Sequence, residues 1–349
     1  VAEGFHSANG HGGDVTALDR PARGFVLGKF MPPHLGHIYL CDFARHFCER
    51  LTILVCSLPD DPIPGELRFR WMQEMFADCD IQWHAEPVPQ EPADHPDFWP
   101  IWRDIVVNAA GRPDVVFASE DYGHRLAQEV GAQFVPVDRL RQVVPTSGTA
   151  VRTDPFANWR FLPEPVRTHF VKRICLFGPE STGKTTLATT LAKRWDTVCA
   201  PEYGRTFTDA FGTELSEADL QAIVRGHLAG VSAARRQANR ILIEDTDPLL
   251  TAVWSEMLFG RRAAWLNDDF ELADLYLLLD PTPSWTDDGT RYFPDTDTRR
   301  RFHQLCEDEL VRRGARYVSI GGIDWASREA DAVEAVLDAF PALQTLNGR

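Results

Sequence analysis

Two histidines three residues apart, His34 and His37, stand in the stretch GKFMPPHLGH, where glycines and prolines crowd the end of a short apolar run. Residues of these types can do three things. They can bind zinc as an HxxH pair, although no third ligand is close and no HExxH pattern exists. They can cap a turn and serve structure alone. Or they can offer imidazole donors to charge that develops on a nucleotide phosphate during displacement. Lys29, beside them, is either a further cation for phosphate or a surface lysine in a loop.

A second stretch, GPESTGKTT (178–186), fits G-x-x-x-x-G-K-[ST] at Gly178, Gly183, Lys184 and Thr185, with Thr186 following. Backbone N–H groups of such a loop cradle phosphates, its lysine reaches the β and γ oxygens, and its threonine meets Mg²⁺. RILIEDTD (240–247) then supplies Asp245, nearest the expected Mg²⁺ shell, and Asp247 just beyond. APEYGR (200–205) brings Glu202, Tyr203 and Arg205 over the same phosphates. Glu202 and Asp247 are rival general bases for an attacking hydroxyl. Arg291 in SWTDDGTR and Arg299 in DTRRRFHQL either close on the transferring phosphoryl group or belong to a solvated helix face. Trp99 and Trp102 in FWPIWRD are core at helical spacing, or an aromatic face for a flat cationic ring.

These residues need a frame. Short apolar runs alternate with longer amphipathic ones: GFVLG, LTILVCS, DVVFAS and QFVPVD in the first half, then RICLFG, TVCAPEY, RILIED, LYLLLD and RYVSIG. This is the rhythm of parallel sheets covered on both faces, an α/β fold with two parallel-sheet domains. Both glycine turns directly follow a strand and open a helix, which is where open parallel sheets bind ligands and where a helix N-terminus favours phosphate. Residues 1–22 are expected to be a flexible lead-in, in which His6 and His11 could touch a metal but are expected to be solvated. Domains are expected at 23–168 and 169–349, with the aromatic, proline-rich segment DPFANWRFLPEPVRTHF packing between them.

Composition sets limits. The 349 residues are 44% hydrophobic and carry a net charge of -15 from 51 acids and 36 bases, which argues against a general nucleic-acid binder. Seven cysteines, an odd number without a CxxC pair, suit reduced thiols in a cytoplasmic protein. No apolar stretch is long enough for membrane insertion, and the lead-in lacks a signal-peptide core. Nothing in the sequence sets the assembly, and a homo-oligomer is allowed.

Taken in order, the motifs resemble known ones. Gly28, Phe30, Pro32 or Pro33, His34, Gly36 and His37 are similar to the first signature of the nucleotidyltransferase superfamily. TSGTAVR (146–152) resembles its second signature through Ser147, Thr149 and Arg152, with Thr146 where isoleucine is usual. From about residue 24 to 340 the chain resembles the NadR family, most tellingly at the junction SGTAVRTDPFANWRFLPEPVRTHF. RFRWMQEMF, EYGR, DTD and the W-x-DDG-x-R stretch agree.

The resemblance implies a Rossmann-like nucleotidyltransferase domain followed by a P-loop kinase domain. It implies two ATP-dependent steps of NAD biosynthesis, with Mg²⁺ as cofactor: phosphorylation of nicotinamide riboside, then adenylyl transfer to nicotinamide mononucleotide giving NAD⁺ and pyrophosphate. His34, His37 and Arg152 would serve adenylyl transfer, with Gly28, Lys29, Phe30, Ser147 and Thr149 around ATP. Lys184, Thr185 and Asp245 would serve the kinase, and Trp99, Trp102 and Tyr203 the pyridine nucleotides. Some family members carry an N-terminal helix-turn-helix; too few residues precede the first strand here for that domain, so DNA binding is not expected. Pro201 stands where the family often has tryptophan, which leaves the kinase substrate more open than the kinase chemistry. Another cofactor precursor, or a P-loop half that only senses ATP and pyridine nucleotides, are the alternatives.

Overall fold

The computed structural model describes residues 20–266, 269–281, 292–322 and 324–346. Two compact units divide between Gly148 and Thr149.

The first unit runs β1 (Arg23–Gly28), α1 (Leu35–Phe47), β2 (Arg50–Cys56), α2 (Gly65–Met75), β3 (Asp80–His84), α3 (Phe98–Ala110), β4 (Val115–Ala118), α4 (Tyr122–Val130) and β5 (Gln133–Pro136). Its sheet is parallel in the order β3-β2-β1-β4-β5. Successive residues of β1 serve opposite faces, as the two-residue strand period requires. Val26 packs with Leu40, Cys41 and Ala44, while Phe25 packs with Trp102, Val106 and Leu126. Because the order reverses between β1 and β4, a crevice opens at their carboxyl ends. The Tyr122 hydroxyl spans it, donating to the Leu27 carbonyl at 2.9 Å.

The second unit begins with α5 (Gly148–Thr153), which straddles the division, and α6 (Glu164–Phe170). β6 (Lys172–Phe177), α7 (Lys184–Arg194), β7 (Cys199–Ala200), α8 (Tyr203–Phe211) and α9 (Glu217–Gln237) follow. β8 (Ile241–Asp245), α10 (Pro248–Phe259), β9 (Leu275–Leu279), α11 (Thr296–Arg312), β10 (Tyr317–Ile320) and α12 (Trp325–Ala339) complete it. The sheet is again parallel, ordered β10-β9-β6-β8-β7. The expected boundary near residue 168 therefore differs from the observed division. Residues 149–168 count with the second unit because their aromatic content is spent there. Arg240 Nε donates to the Phe156 carbonyl at 3.0 Å, and buried Trp159 has the Arg167 and Arg240 guanidiniums each 5.8 Å from its ring.

Two buried arginines brace this unit. Arg173 on β6 and Glu244 on β8 form an ion pair at 2.5 Å with both side chains out of water. Arg328 on α12 donates to three carbonyls, Thr182 at 3.0 Å, Asp280 at 2.7 Å and Gly322 at 2.8 Å. Cys41, Cys48, Cys56, Cys79, Cys175, Cys199 and Cys306 are all free. Among the described residues no helix is long and apolar enough to cross a membrane.

Candidate active sites

At the carboxyl end of β1, His34 becomes the N-cap of α1 and His37 its third residue. The Gly36 N–H donates to His34 Nδ1 at 3.1 Å, and the His34 N–H donates to His37 Nδ1 at 3.3 Å. The reciprocal pair satisfies two backbone donors that a helix start otherwise leaves open. Gly36 is required sterically, since a Cβ there would lie 2.9 Å from His34 Cε1. Burial lowers His34 to about 4 and holds His37 well below its ordinary value, and the positive charge of Arg141 adds to both. Both rings are thus neutral near pH 7. With each Nδ1 accepting, the single proton of each ring sits on Nε2.

The neighbouring motif residues divide between structure and site. Phe30 is buried and meets His37 edge-on at 5.1 Å, so its ring supports the imidazole. Gly28 leaves room for that ring, a Cβ there falling 3.1 Å from it. The Lys29 side chain is exposed, while its carbonyl accepts from buried Arg68 at 2.5 Å. Ser147 lies at the end of the first unit, and Thr149 and Arg152 stand on α5, where Arg152 Nη2 donates to Thr149 Oγ1 at 3.2 Å. Trp102 is a core residue, its indole N–H donating to the Pro89 carbonyl at 3.1 Å. Trp99 is half-buried, with the Arg125 guanidinium 5.7 Å from its ring. Arg141, which the motifs did not single out, owes its place to a loop held by Asp138, whose carboxylate accepts from Gln142, Val143 and Val144.

In the second unit the P-loop joins β6 to α7. Gly178 has φ +131°, and a Cβ on it would lie 2.8 Å from the Leu279 carbonyl oxygen; Gly183 has φ +86°. Both positions need glycine. Lys184 is buried, and its Nζ donates to the carbonyls of Gly178 at 3.0 Å and Pro179 at 2.7 Å. β8 pairs with β6 so that Asp245 stands opposite Leu176, beside the loop. One oxygen of Asp245, Oδ1, is buried without a hydrogen-bond partner, while the carboxylate also takes a bond from the Thr185 side chain. Burial raises its pKa, opposed by that bond and by Lys184 and Arg205. A buried anionic oxygen beside a threonine hydroxyl and a phosphate cradle is the donor set that suits Mg²⁺.

A cleft extends from this loop, lined among others by Lys184, Thr185, Thr186, Glu202, Arg205 and Asp247. Glu202 starts α8 without capping it through its side chain. Asp247 is differently placed: it caps α10, its Oδ1 accepting from Leu249 and Leu250 N–H groups at 2.9 and 3.4 Å, while Oδ2 accepts from the Tyr276 hydroxyl at 2.5 Å. Burial pushes Asp247 up to about 7. Tyr203 packs its ring on α9, where a Cβ at Gly226 would fall 2.1 Å from it, and it does not line the cleft. Arg299 is buried in the first turn of α11 and likewise does not line it, so it is not the solvated face the sequence allowed. Arg291 and the W-x-DDG-x-R stretch fall outside the described residues.

Sequence reasoning missed the aromatic wall. Trp254 and Tyr292 line the cleft with ring centroids 5.4 Å apart, and His227, buried on α9, lines it too. The signal was present on α10: Asp247, Leu250, Thr251 and Trp254 recur at helical spacing, and all four line the cleft.

A family model described as an AAA domain matches residues 173–328. The Escherichia coli (strain K12) "Trifunctional NAD biosynthesis/regulator protein NadR" is 29% identical over 340 residues, covering 90% of this chain and 82% of that protein. A solved structure of NadR protein in complex with NAD and AMP-PNP superposes with a TM-score of 0.71 at 23% identity, over 91% of this chain and 96% of that one. Another, of NadR protein in complex with NR, gives 0.73 at 21% identity, over 92% and 96%. The likeness to the solved structures spans both α/β units.

Proposed function

We propose that this chain belongs to the NadR family, to which it is similar over most of its length, and makes NAD⁺ through two ATP-dependent transfers, one in each unit. The second unit phosphorylates the 5′-hydroxyl of nicotinamide riboside. The first joins the resulting mononucleotide to AMP and releases pyrophosphate. The observation that supports this reading is that each sheet ends at a turn that opens a helix, one with two imidazoles whose Nδ1 atoms are occupied by backbone N–H groups and one with a P-loop lysine.

For adenylyl transfer, no covalent intermediate is needed. The mononucleotide phosphate attacks the α-phosphorus of ATP in line, and the bond to pyrophosphate breaks. His34 and His37 donate from Nε2 to the α-phosphate oxygens as charge grows there, and neither has to lose or gain a proton. Lys29 and Ser147 are proposed for the outgoing β- and γ-phosphates. Arg141 is a further cation for the same anions. Half-buried Trp99 is the stronger candidate for the nicotinamide ring, because Trp102 is committed to the core.

For phosphorylation, Lys184 leaves its two carbonyls for the β- and γ-phosphates. Mg²⁺, held by Asp245 and Thr185, would neutralise the charge of the nucleotide phosphates. Glu202 is proposed as the base that takes the proton of the attacking hydroxyl. Asp247 is its weaker rival, since both of its oxygens already accept from Leu249, Leu250 and Tyr276. Trp254 and Tyr292 form the wall on which a flat cationic pyridine ring can rest. Free thiols throughout suit a reducing, cytoplasmic setting.

Chromatographic product analysis tests the reading. With ATP and Mg²⁺, NAD⁺ is expected from nicotinamide riboside and from the mononucleotide. NAD⁺ from the mononucleotide alone would remove the nucleoside kinase assignment.

A further inference from the structure

The P-loop carries an acid where it should be a burden. Glu180 lies between Gly178 and Gly183, in a loop whose purpose is to attract phosphate, and a carboxylate there repels the ligand unless its charge is engaged elsewhere. The structure engages it. Buried Glu180 accepts from two consecutive backbone N–H groups, Tyr292 at 3.1 and 3.0 Å and Phe293 at 2.6 Å.

Those two residues hold the aromatic wall. Tyr292 lines the cleft, donates from its hydroxyl to the Thr213 carbonyl, and meets Trp254 at 5.4 Å. Phe293 stacks on Trp254 with centroids 5.8 Å apart. The backbone at 292–293 is thus fixed from the P-loop side by one carboxylate, and the position of the Tyr292 ring follows from it.

We propose that Glu180 is a positioning residue for the nucleoside, tying the wall that receives its base to the loop that receives the phosphates of ATP. The inference rests on the kinase reading above. The two ligands should therefore respond in opposite ways to loss of this carboxylate. Removing its charge relieves repulsion of phosphate, while removing its acceptors frees Tyr292.

The test uses the full chain as wild type, Glu180→Gln and Glu180→Ala, with calorimetric titration of nicotinamide riboside and of AMP-PNP separately. Glu180→Ala should weaken the nucleoside by roughly 10- to 100-fold, the scale of losing charge-assisted hydrogen bonds, and leave AMP-PNP unchanged or tighter. Glu180→Gln, which keeps one acceptor, should fall between. Amide hydrogen exchange at Tyr292 and Phe293 should quicken in both variants, and retained AMP-PNP binding shows that the unit is folded. Equal weakening of both ligands, or unchanged nucleoside affinity despite faster exchange, would overturn the inference. If the wild type binds a different nucleoside, the ring assignment falls, and the same comparison with that nucleoside decides the role of Glu180.

Discussion

The imidazoles of His34 and His37 lie with ring centroids 3.8 Å apart, each with a backbone N–H on its Nδ1. The helix start fixes the tautomer, and the tautomer fixes which nitrogen is left to donate.

Because the donors belong to the first unit alone, His37→Ala should lower adenylyl transfer by about 10²–10³-fold, the usual cost of one lost oxyanion donor. Phosphorylation of the nucleoside should stay near wild type. Separate initial-rate assays check this, and equal loss of both activities in a folded variant would contradict two independent sites.

The pH dependence has a definite sign. His34 titrates at about 4 in the folded chain, against 6.5 when unfolded. A lowered histidine pKa stabilises the fold fully above the unfolded value, and that contribution is lost as pH falls toward 4. Adenylyl transfer should show no histidine step near 6.5, with its acid limb below about 5. A rate that rises as pH drops through 6.5 would mean that imidazolium is the donor.

Glu202 and Asp247 can be separated by substitution. Glu202→Gln should cut the phosphorylation kcat by roughly 10²–10⁴-fold with little change in KM, as loss of a general base does. Asp247→Ala should chiefly destabilise, by about 0.5–2 kcal/mol for the lost helix cap, read in chemical denaturation. A stable Asp247→Ala protein without turnover, beside an active Glu202→Gln, would reverse the assignment.

The Arg173–Glu244 pair predicts stability rather than turnover. Glu244→Ala leaves a buried guanidinium with only the exposed Glu271 carboxylate, 3.7 Å away, as counter-charge, and should cost up to about 3–5 kcal/mol. Replacing both residues by apolar ones of similar volume should recover most of that. If Glu244→Ala unfolds at the wild-type denaturant concentration, the pair carries no such weight.

Much of this was legible in the sequence, for physical reasons. Apolar runs marked β1, β2, β4 and β5 and the five strands of the second sheet, including the partly exposed edge strands β5 and β10, although TVCAPEY keeps only Cys199–Ala200 as strand. Edge strand β3 was not, because DIQWH interrupts its apolar residues with Asp80, Gln82 and His84 and forms no apolar run. The two glycine turns at strand ends were legible because glycine with histidine or lysine at fixed spacing stands out between an apolar run and a helix. Tyr203 and Trp102 stayed open in the sequence because an aromatic can fill a core or face a ligand; in the fold, Gly226 lies beneath one ring and the Pro89 carbonyl accepts from the other. Glu180 could not be read at all, since its partners are backbone groups more than a hundred residues away.

Arg328 has a consequence for the order in which the protein is made. Its guanidinium is out of water and holds the Thr182 carbonyl of the P-loop from a helix 146 residues later in the chain. A ribosome therefore delivers the loop long before it delivers the clamp. Until α12 has emerged, the growing chain carries a P-loop whose Thr182 carbonyl lacks this donor, and the loop reaches its final hydrogen bonding only when α12 follows.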